Sequence, residues 1–518
     1  MSKKFYITTA IDYVNGQPHL GHAYEKVITD VIARARRSLG QEAFFLTGLD
    51  EHGQKVQQAA EAEGKPTQAY CDELAASWKS FAGRLNLANN DFIRTSEPRH
   101  KAVVQAILSR LHQEGHFYKE TYRGYYSTRQ ETFLTEKDRQ PDGSWDPIYG
   151  EVVELEEDNY YFKLRAHQQW LIDYLEANPQ FVQPGYRRNE VLGFLKNNTL
   201  EDLCITRPVN RLAWGIPVPF DKNYVTYVWF DALVNYITVP ADHGDAAVLH
   251  ATGNSATATV DLWPADIHVI GKDILKFHAV YWPIMLKAMG LPLPRQVLVH
   301  GWWQKDGAKI SKTTGNIVDP IAVIDEWGID AFRYYVVREL DIGPDGNWTD
   351  AGFSARYHAE LANGLGNLLN RALSMLKKYR NGVVPAASSE LAADAGKVAG
   401  ETRELLARNE LQAALAKVWE LVNRANLYVE QTAPFKLAKD PSQAKRLDEV
   451  LYNLVESCRV LAVLLWPFLP TSTAKIYAQL GLSGEPDRLD AAAWGGLQPG
   501  HTVGEAAPLF PRKDQPRK

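Results

Sequence analysis

Phe5-Tyr6-Ile7-Thr8-Thr9-Ala10-Ile11-Asp12-Tyr13-Val14-Asn15-Gly16-Gln17-Pro18-His19-Leu20-Gly21-His22 is the stretch on which the reading of this chain turns. Phe5–Thr9 is an apolar strand. Asn15-Gly16 and Pro18 supply a turn, with Pro18 suited to the first turn of a helix. A long helical stretch then opens at Leu20. The result is a strand-turn-helix corner, where helix-start N–H groups face an anion. His19 and His22 stand three apart on one helical face, and both rings can donate to phosphate oxygens. Gly21 has no side chain, so a flat base can approach the backbone closely.

A second tetrad, Lys309-Ile310-Ser311-Lys312, lies in a loop bracketed by Gly307 and Gly315. Ammonium groups carried there can close on a nucleotide and neutralise charge as pyrophosphate departs. Either tetrad alone is a weak signal. The histidines also suit half of a zinc site, and the lysines suit a solvated loop. Together, in this order and separation, they point to a site that grips a triphosphate from two sides.

Outward from the corner, residues 1–115 alternate strand and helix. Phe5–Thr9 and Ala43–Thr47 read as buried parallel strands, with helices from Leu20, Gln54, Gln68 and His100. This predicts an α/β doubly wound, Rossmann-like parallel sheet with ligands at the carboxyl ends of its strands. Residues 116–223 change texture. Tyr122–Thr128, Glu151–Leu155 and Tyr160–Leu164 read as short antiparallel strands, making a small mixed α/β insertion that splits the sheet domain. In 224–305 the sheet resumes with Tyr224–Phe230, His268–Ile270 and Val297–Val299, and with helices from Asp231 and Asp273. Residues 306–352 hold the second tetrad and a short mixed segment. From 353 to 518 apolar spacings of three and four recur in Tyr357–Leu376, Leu411–Val429 and Leu447–Leu465, which predicts a helical bundle. Pro385–Gly400 reads as a loop with a weak helix.

A chain of 518 residues with 45% hydrophobic content can bury more than one core. Its net charge of −5 gives no global basic field, so any nucleic-acid contact must come from local patches such as Arg34–Arg37 or Arg187-Arg188. Cys71, Cys204 and Cys458 are too few and too scattered for a disulfide framework, which fits a reducing compartment. No secretory signal opens the chain. The longest apolar run, 460–470, is too short to span a bilayer. The expectation is a cytoplasmic protein with no membrane association.

The HLGH and KISKT segments resemble the two signature motifs of class I aminoacyl-tRNA synthetases. Intervening segments narrow the likeness to the methionyl-tRNA synthetase family. Thr9–His22, Thr47-Gly-Leu-Asp-Glu-His-Gly53, Trp214-Gly-Ile-Pro-Val-Pro219, Tyr227-Val-Trp-Phe-Asp-Ala232, Gly271-Lys-Asp273 and Phe277-His-Ala-Val-Tyr-Trp282 follow that family's order. The resemblance covers nearly the whole chain. It implies ATP-dependent ligation of methionine to its tRNA through methionyl-adenylate, with release of AMP and pyrophosphate. No protein nucleophile is required, so positioning and charge stabilisation carry the rate.

The resemblance assigns His19, His22, Lys309 and Lys312 to catalysis. It assigns His19, Gly21, His22, Gly271, Lys272, Asp273, Lys309, Ser311 and Lys312 to ATP, which enters with Mg2+ held mainly by phosphate oxygens and water. Asp273 also suits a plain helix cap. Chemistry and family agree on the methionine pocket. An ammonium group needs a carboxylate, for which Asp50 at a strand end is the choice. A thioether packs well against ring edges, and Tyr13, Trp229, Tyr236, Phe277 and Trp282 supply rings, with Ile11, Ala232 and His278 beside them. Leu233 and Asp12 stand where the family more often has proline. Asp12 either adds charge near the site or faces solvent.

Many family members hold zinc in the inserted domain through CxxC pairs. The matching stretch here, Tyr125-Tyr-Ser-Thr-Arg-Gln-Glu131, has no cysteine, so no structural zinc is expected. The helical region resembles the family's anticodon-binding domain. Asn367 and Arg371, one turn apart, can read base edges. Phe435 replaces a frequent tryptophan and either stacks on a base or belongs to the bundle core. The chain lacks the C-terminal tRNA-binding module that some relatives use to dimerise, so a monomer is expected. Three other readings stay open: another class I synthetase without an editing domain, a non-catalytic tRNA-binding paralogue, and a small-molecule nucleotidylyltransferase.

Overall fold

The computed structural model describes residues 3–14, 16–127, 132–134, 136–253, 259–309 and 317–513. It divides into two compact units. One comprises Met1–Gln17, Leu46–Lys79 and Asp91–Val299; the other comprises Pro18–Phe45, Ser80–Asn90 and His300–Lys518.

The first unit is built on a parallel sheet. Its strands begin with β1 (Phe5–Thr9), β2 (Asp12–Tyr13), β3 (Ala43–Asp50) and β4 (Asp91–Arg94). Three later segments, Ile267–Gly271, Val297–His300 and Val182–Gln183, complete an order of β2, β3, β1, 267–271, 297–300, 182–183, with β4 also paired to β3. β1 runs parallel to 267–271, β3 parallel to both β2 and β4, and 297–300 parallel to 182–183. All eight residues of β3 are buried, as expected of a strand covered on both faces. Gly48 lets β4 approach, since a Cβ there would lie 2.2 Å from the Ile93 carbonyl oxygen.

A separate four-stranded antiparallel sheet occupies the inserted stretch, its core the eleven paired residues of Phe117–Ser127 and Val152–Phe162. Val152–Phe162 is one continuous strand where two short ones were expected. Val182–Gln183, inside the same stretch of sequence, pairs in the main sheet. The expected strand Tyr224–Phe230 is shorter: it ends at Thr226, and Val228–Leu233 is a helix.

The second unit is mainly helical. Helix α1 (Leu20–Ser38) belongs to it, with a small sheet in which Trp303–Lys305 pairs with Ala308–Lys309 and Gly346–Trp348. The bundle follows: Asn367–Arg380, Ala392–Ala407, Leu411–Thr432, Ala444–Leu465 and Pro470–Gln479. Ala392–Ala407 is a full helix where a loop with a weak helix was expected. Tyr357–Gly366 is wound as a π-helix before Asn367, a geometry that recurs at functional sites. Among the described residues no helix is long and apolar enough to cross a membrane.

Candidate active site

In the first unit the strand ends gather the residues expected to receive an amino acid. Tyr13 on β2 is in register with Asp50 at the end of β3, and the Val14 amide donates to the Asp50 carbonyl at 3.1 Å. Asp50 is buried, and so is Asp12, which therefore does not face solvent. Ile11 and Tyr13 are half-buried.

The loop after Asp50 is pinned on several sides. Glu51 accepts from Arg94 at 2.7 Å and from the Ser96 hydroxyl, while its amide donates to Thr95 at 2.9 Å. The indole N–H of Trp214 donates to the Glu51 carbonyl, and the amides of Ala213 and Trp214 bond Gln57. The segments 47–53 and 214–219, far apart in sequence, thus meet.

The rings form two groups. Trp229 and Phe277 stack with centroids 3.4 Å apart and planes 10° off parallel. Tyr236 lies against Trp282 at 5.8 Å and His268 at 4.2 Å. Its hydroxyl meets Nε2 of His278 at 2.7 Å, and Nδ1 of His278 meets the Ile274 carbonyl at 3.0 Å. A carbonyl only accepts, so Nδ1 of His278 donates to it. Trp282 is wholly buried, and its N–H donates to Nε2 of His268 at 3.2 Å, whose Nδ1 then donates to Thr8 at 2.8 Å. Burial, aided by the nearby His278, holds His268 well below the usual histidine range, in keeping with this neutral form. Ala232 is buried between these groups in sequence, on the helix that carries Trp229.

Gly271 ends its strand and opens a short 3-10 turn, Lys272–Ile274. Asp273 lies inside that turn, exposed, and Gly271 rather than Asp273 holds the cap position.

In the second unit His19 is the N-cap of α1. Its Nδ1 accepts from the Gly21 amide at 3.1 Å, while its own amide donates to Nδ1 of His22 at 3.2 Å. The rings stack at 3.7 Å. With both Nδ1 atoms accepting, each neutral ring carries its proton on Nε2. Gly21 leaves room for this cap: a Cβ there would sit 3.1 Å from the His19 ring, which would have to give by a few tenths of an ångström. Two buried contacts hold α1 to its neighbours: His300 bonds Glu25 at 3.1 Å and Arg333 bonds Asp30 at 2.7 Å, while Arg34, on the same helix, bonds Asp30 at 2.8 Å. The backbone of Lys309 pairs with Gln304. Ser311 and Lys312 lie outside the described residues, as do Asn15 and the 128–131 part of the stretch compared with the zinc-binding CxxC pairs.

Asn367 begins its helix, and Arg371, one turn on, reaches Glu430 at 3.9 Å. Phe435 is 48% exposed, which removes it from the bundle core. Among the described residues no cluster of three or more His, Cys, Asp or Glu could hold a metal ion. Sequence reasoning passed over one buried set: Asp231, hydrogen-bonded to both His52 and His100. Two of the three stand inside motifs already quoted; nothing local pointed to His100.

Comparison with known proteins agrees along the length of the chain. The family model for tRNA synthetases class I (M) matches residues 5–144 and 145–373. The methionine–tRNA ligase of Fusobacterium nucleatum is 39% identical over 521 residues, covering 99% of this chain and 80% of that one. The Bacillus subtilis enzyme is 41% identical over 527 residues, covering 98% and 78%. The structure of Mycobacterium tuberculosis methionyl-tRNA synthetase in complex with methionyl-adenylate superposes with a TM-score of 0.90 at 37% identity, covering 99% of this chain and all of that one. The chain belongs to the methionyl-tRNA synthetase family of class I tRNA synthetases.

Proposed function

We propose that the chain is a methionine–tRNA ligase. A methionine carboxylate oxygen attacks the α-phosphorus of ATP, pyrophosphate leaves, and methionyl-adenylate forms. A ribose hydroxyl at the tRNA terminus then attacks the carbonyl carbon, and AMP leaves. The observation that carries this reading is the likeness, over the whole chain, to a synthetase holding methionyl-adenylate. The pocket chemistry supports it: a buried carboxylate at a strand end in the same unit as an aromatic cluster suited to a thioether.

Within this reading Asp50 receives the ammonium group. Ile11, Tyr13, Trp229, Ala232, Tyr236, Phe277, His278 and Trp282 form or back the methionine slot. The Nε2 donors of His19 and His22, with Gly21, Gly271, Lys272, Asp273, Lys309, Ser311 and Lys312, serve ATP, which enters as its magnesium complex. These groups stabilise charge rather than form covalent bonds. Burial pushes the thiols of Cys71 and Cys458 up to about 12, so neither is a thiolate nucleophile near neutral pH. Asn367, Arg371 and Phe435 contact the anticodon.

The same reading divides the chain into catalytic halves at 1–115 and 224–305, an insertion at 116–223, a nucleotide-loop and stem-contact segment at 306–352, and an anticodon-binding region at 353–518. It makes the protein a cytoplasmic monomer without structural zinc. Its three cysteines are free, as a reducing compartment requires. Methionine-dependent ATP–pyrophosphate exchange, followed by charging of methionine tRNA, tests the proposal.

A further inference from the structure

Asp231 is wholly buried, yet it is a carboxylate with no part in the chemistry above. One oxygen meets Nδ1 of His52 at 2.6 Å, and the other meets Nε2 of His100 at 2.7 Å. His52 is 1% exposed and His100 is fully buried. Nδ1 of His100 meets the Thr238 hydroxyl at 3.0 Å, and that hydroxyl donates its single proton to the Val234 carbonyl at 3.0 Å. His100 is thus tied at both ring nitrogens. His52 bonds through Nδ1, and its Nε2 is buried with no hydrogen-bond partner among the described residues. Burial opposes the charge on Asp231, but the two histidines outweigh it and hold the carboxyl well below its usual range.

Such a buried pair gains little stability over apolar side chains of the same volume. What it supplies is direction, because each partner has one geometry. The partners are informative. Asp231 stands between Trp229 and Ala232 on the helix Val228–Leu233, which lines one side of the proposed methionine slot. His52 follows Asp50 by two residues in the loop that leaves β3. His100 lies on the helix Pro98–Gln113, and Thr238 on the helix Asn235–Asp242, which also carries Tyr236. The network joins the segment of the ammonium-binding carboxylate to the helices that carry Trp229 and Tyr236.

We propose that Asp231 is a positioning residue for the amino-acid substrate: held by His52 and His100, it sets the Trp229–Ala232 segment against the strand end bearing Asp50. This rests on the methionine-activating reading. The role belongs to the cluster as a unit, and it acts on methionine rather than on ATP.

The test is methionine-dependent ATP–pyrophosphate exchange by the full chain, with KM measured separately for methionine and for ATP. His52→Leu removes the donor, whereas His52→Asn keeps an N–H near the place of Nδ1. The expected result is a methionine KM raised about tenfold or more in His52→Leu and in Asp231→Asn, since small misplacements of bound groups are costly. ATP KM stays within about twofold, and His52→Asn restores most of the methionine affinity. Thr238→Val, a milder change at the far end, is expected to raise methionine KM at least about twofold, and it decides the matter if the other variants do not fold. Unchanged methionine KM in folded His52→Leu or Thr238→Val overturns the proposal. So does a fall in kcat that merely tracks the loss of folded protein, with both KM values unmoved. Absence of methionine-dependent exchange in the unsubstituted chain overturns the underlying function instead.

Discussion

The hydroxyl of Tyr236 meets Nε2 of His278 at 2.7 Å, and the opposite nitrogen of that ring is fixed by the Ile274 carbonyl at 3.0 Å. The imidazole is thereby held in one orientation next to a cluster of rings. Tyr236→Phe removes one partner of this buried hydrogen bond, at a cost of about 1–3 kcal/mol. The expected outcome is a methionine KM roughly tenfold higher in pyrophosphate exchange, with ATP KM unchanged.

Asp50→Asn keeps the shape of the strand end and removes the charge. A hydrogen bond to a charged group contributes about 1.5–3 kcal/mol. Methionine kcat/KM should fall by roughly 10- to 150-fold, while the melting temperature changes little. Exchange kinetics beside a thermal melt separate the two effects.

The second unit has its own buried pair, Arg333 and Asp30, both with wholly buried side chains. Arg333 also donates to the carbonyls of Leu85, Pro467 and Phe468. Burial disfavours the Asp30 carboxylate, but Arg333, Arg34 and the Ala88 amide overcome it and hold the carboxyl below its usual range. A depressed carboxyl stabilises the fold fully above its unfolded value, about 3.9, and loses that contribution as pH falls through the folded value. Denaturant melts should therefore show stability lost below about pH 4, and Asp30→Asn should flatten that part of the profile. At neutral pH the same substitution strands a buried guanidinium and should cost about 3–5 kcal/mol.

Phe435 projects from the bundle half-exposed, so Phe435→Ala should leave the melting temperature almost unchanged. Stacking on a nucleic-acid base contributes about 1–3 kcal/mol. The expected outcome is a tRNA KM in aminoacylation raised about 5- to 100-fold, with pyrophosphate exchange untouched.

The strand Phe5–Thr9 and the helix start at Leu20 were legible because their signals are local: an apolar run in the one, and Pro18 just ahead of the other. Other elements were not. Tyr224–Phe230 is a run of β-branched and aromatic residues that periodicity cannot assign, and the chain bends into a helix after Thr226. Val152–Phe162 was broken by the charges of Glu156, Glu157 and Asp158. In the sheet these face Arg123, Tyr122 and Thr121 across the pair, so a polar stretch is tolerated. Ala392–Ala407 forms through alanine-rich helix propensity and packing on the bundle rather than through a strong apolar stripe. The pocket aromatics were found by family resemblance. The contacts of Asp231 with His52 and His100 were invisible, because their partners lie far apart in sequence and only the completed fold brings them together.

The most direct measurement is ATP–pyrophosphate exchange by the purified chain with each of the twenty standard amino acids in turn. The account predicts exchange with methionine and none of comparable efficiency with any other. Exchange driven by a different amino acid, or no exchange with any by folded protein supplied with magnesium and ATP, would contradict it.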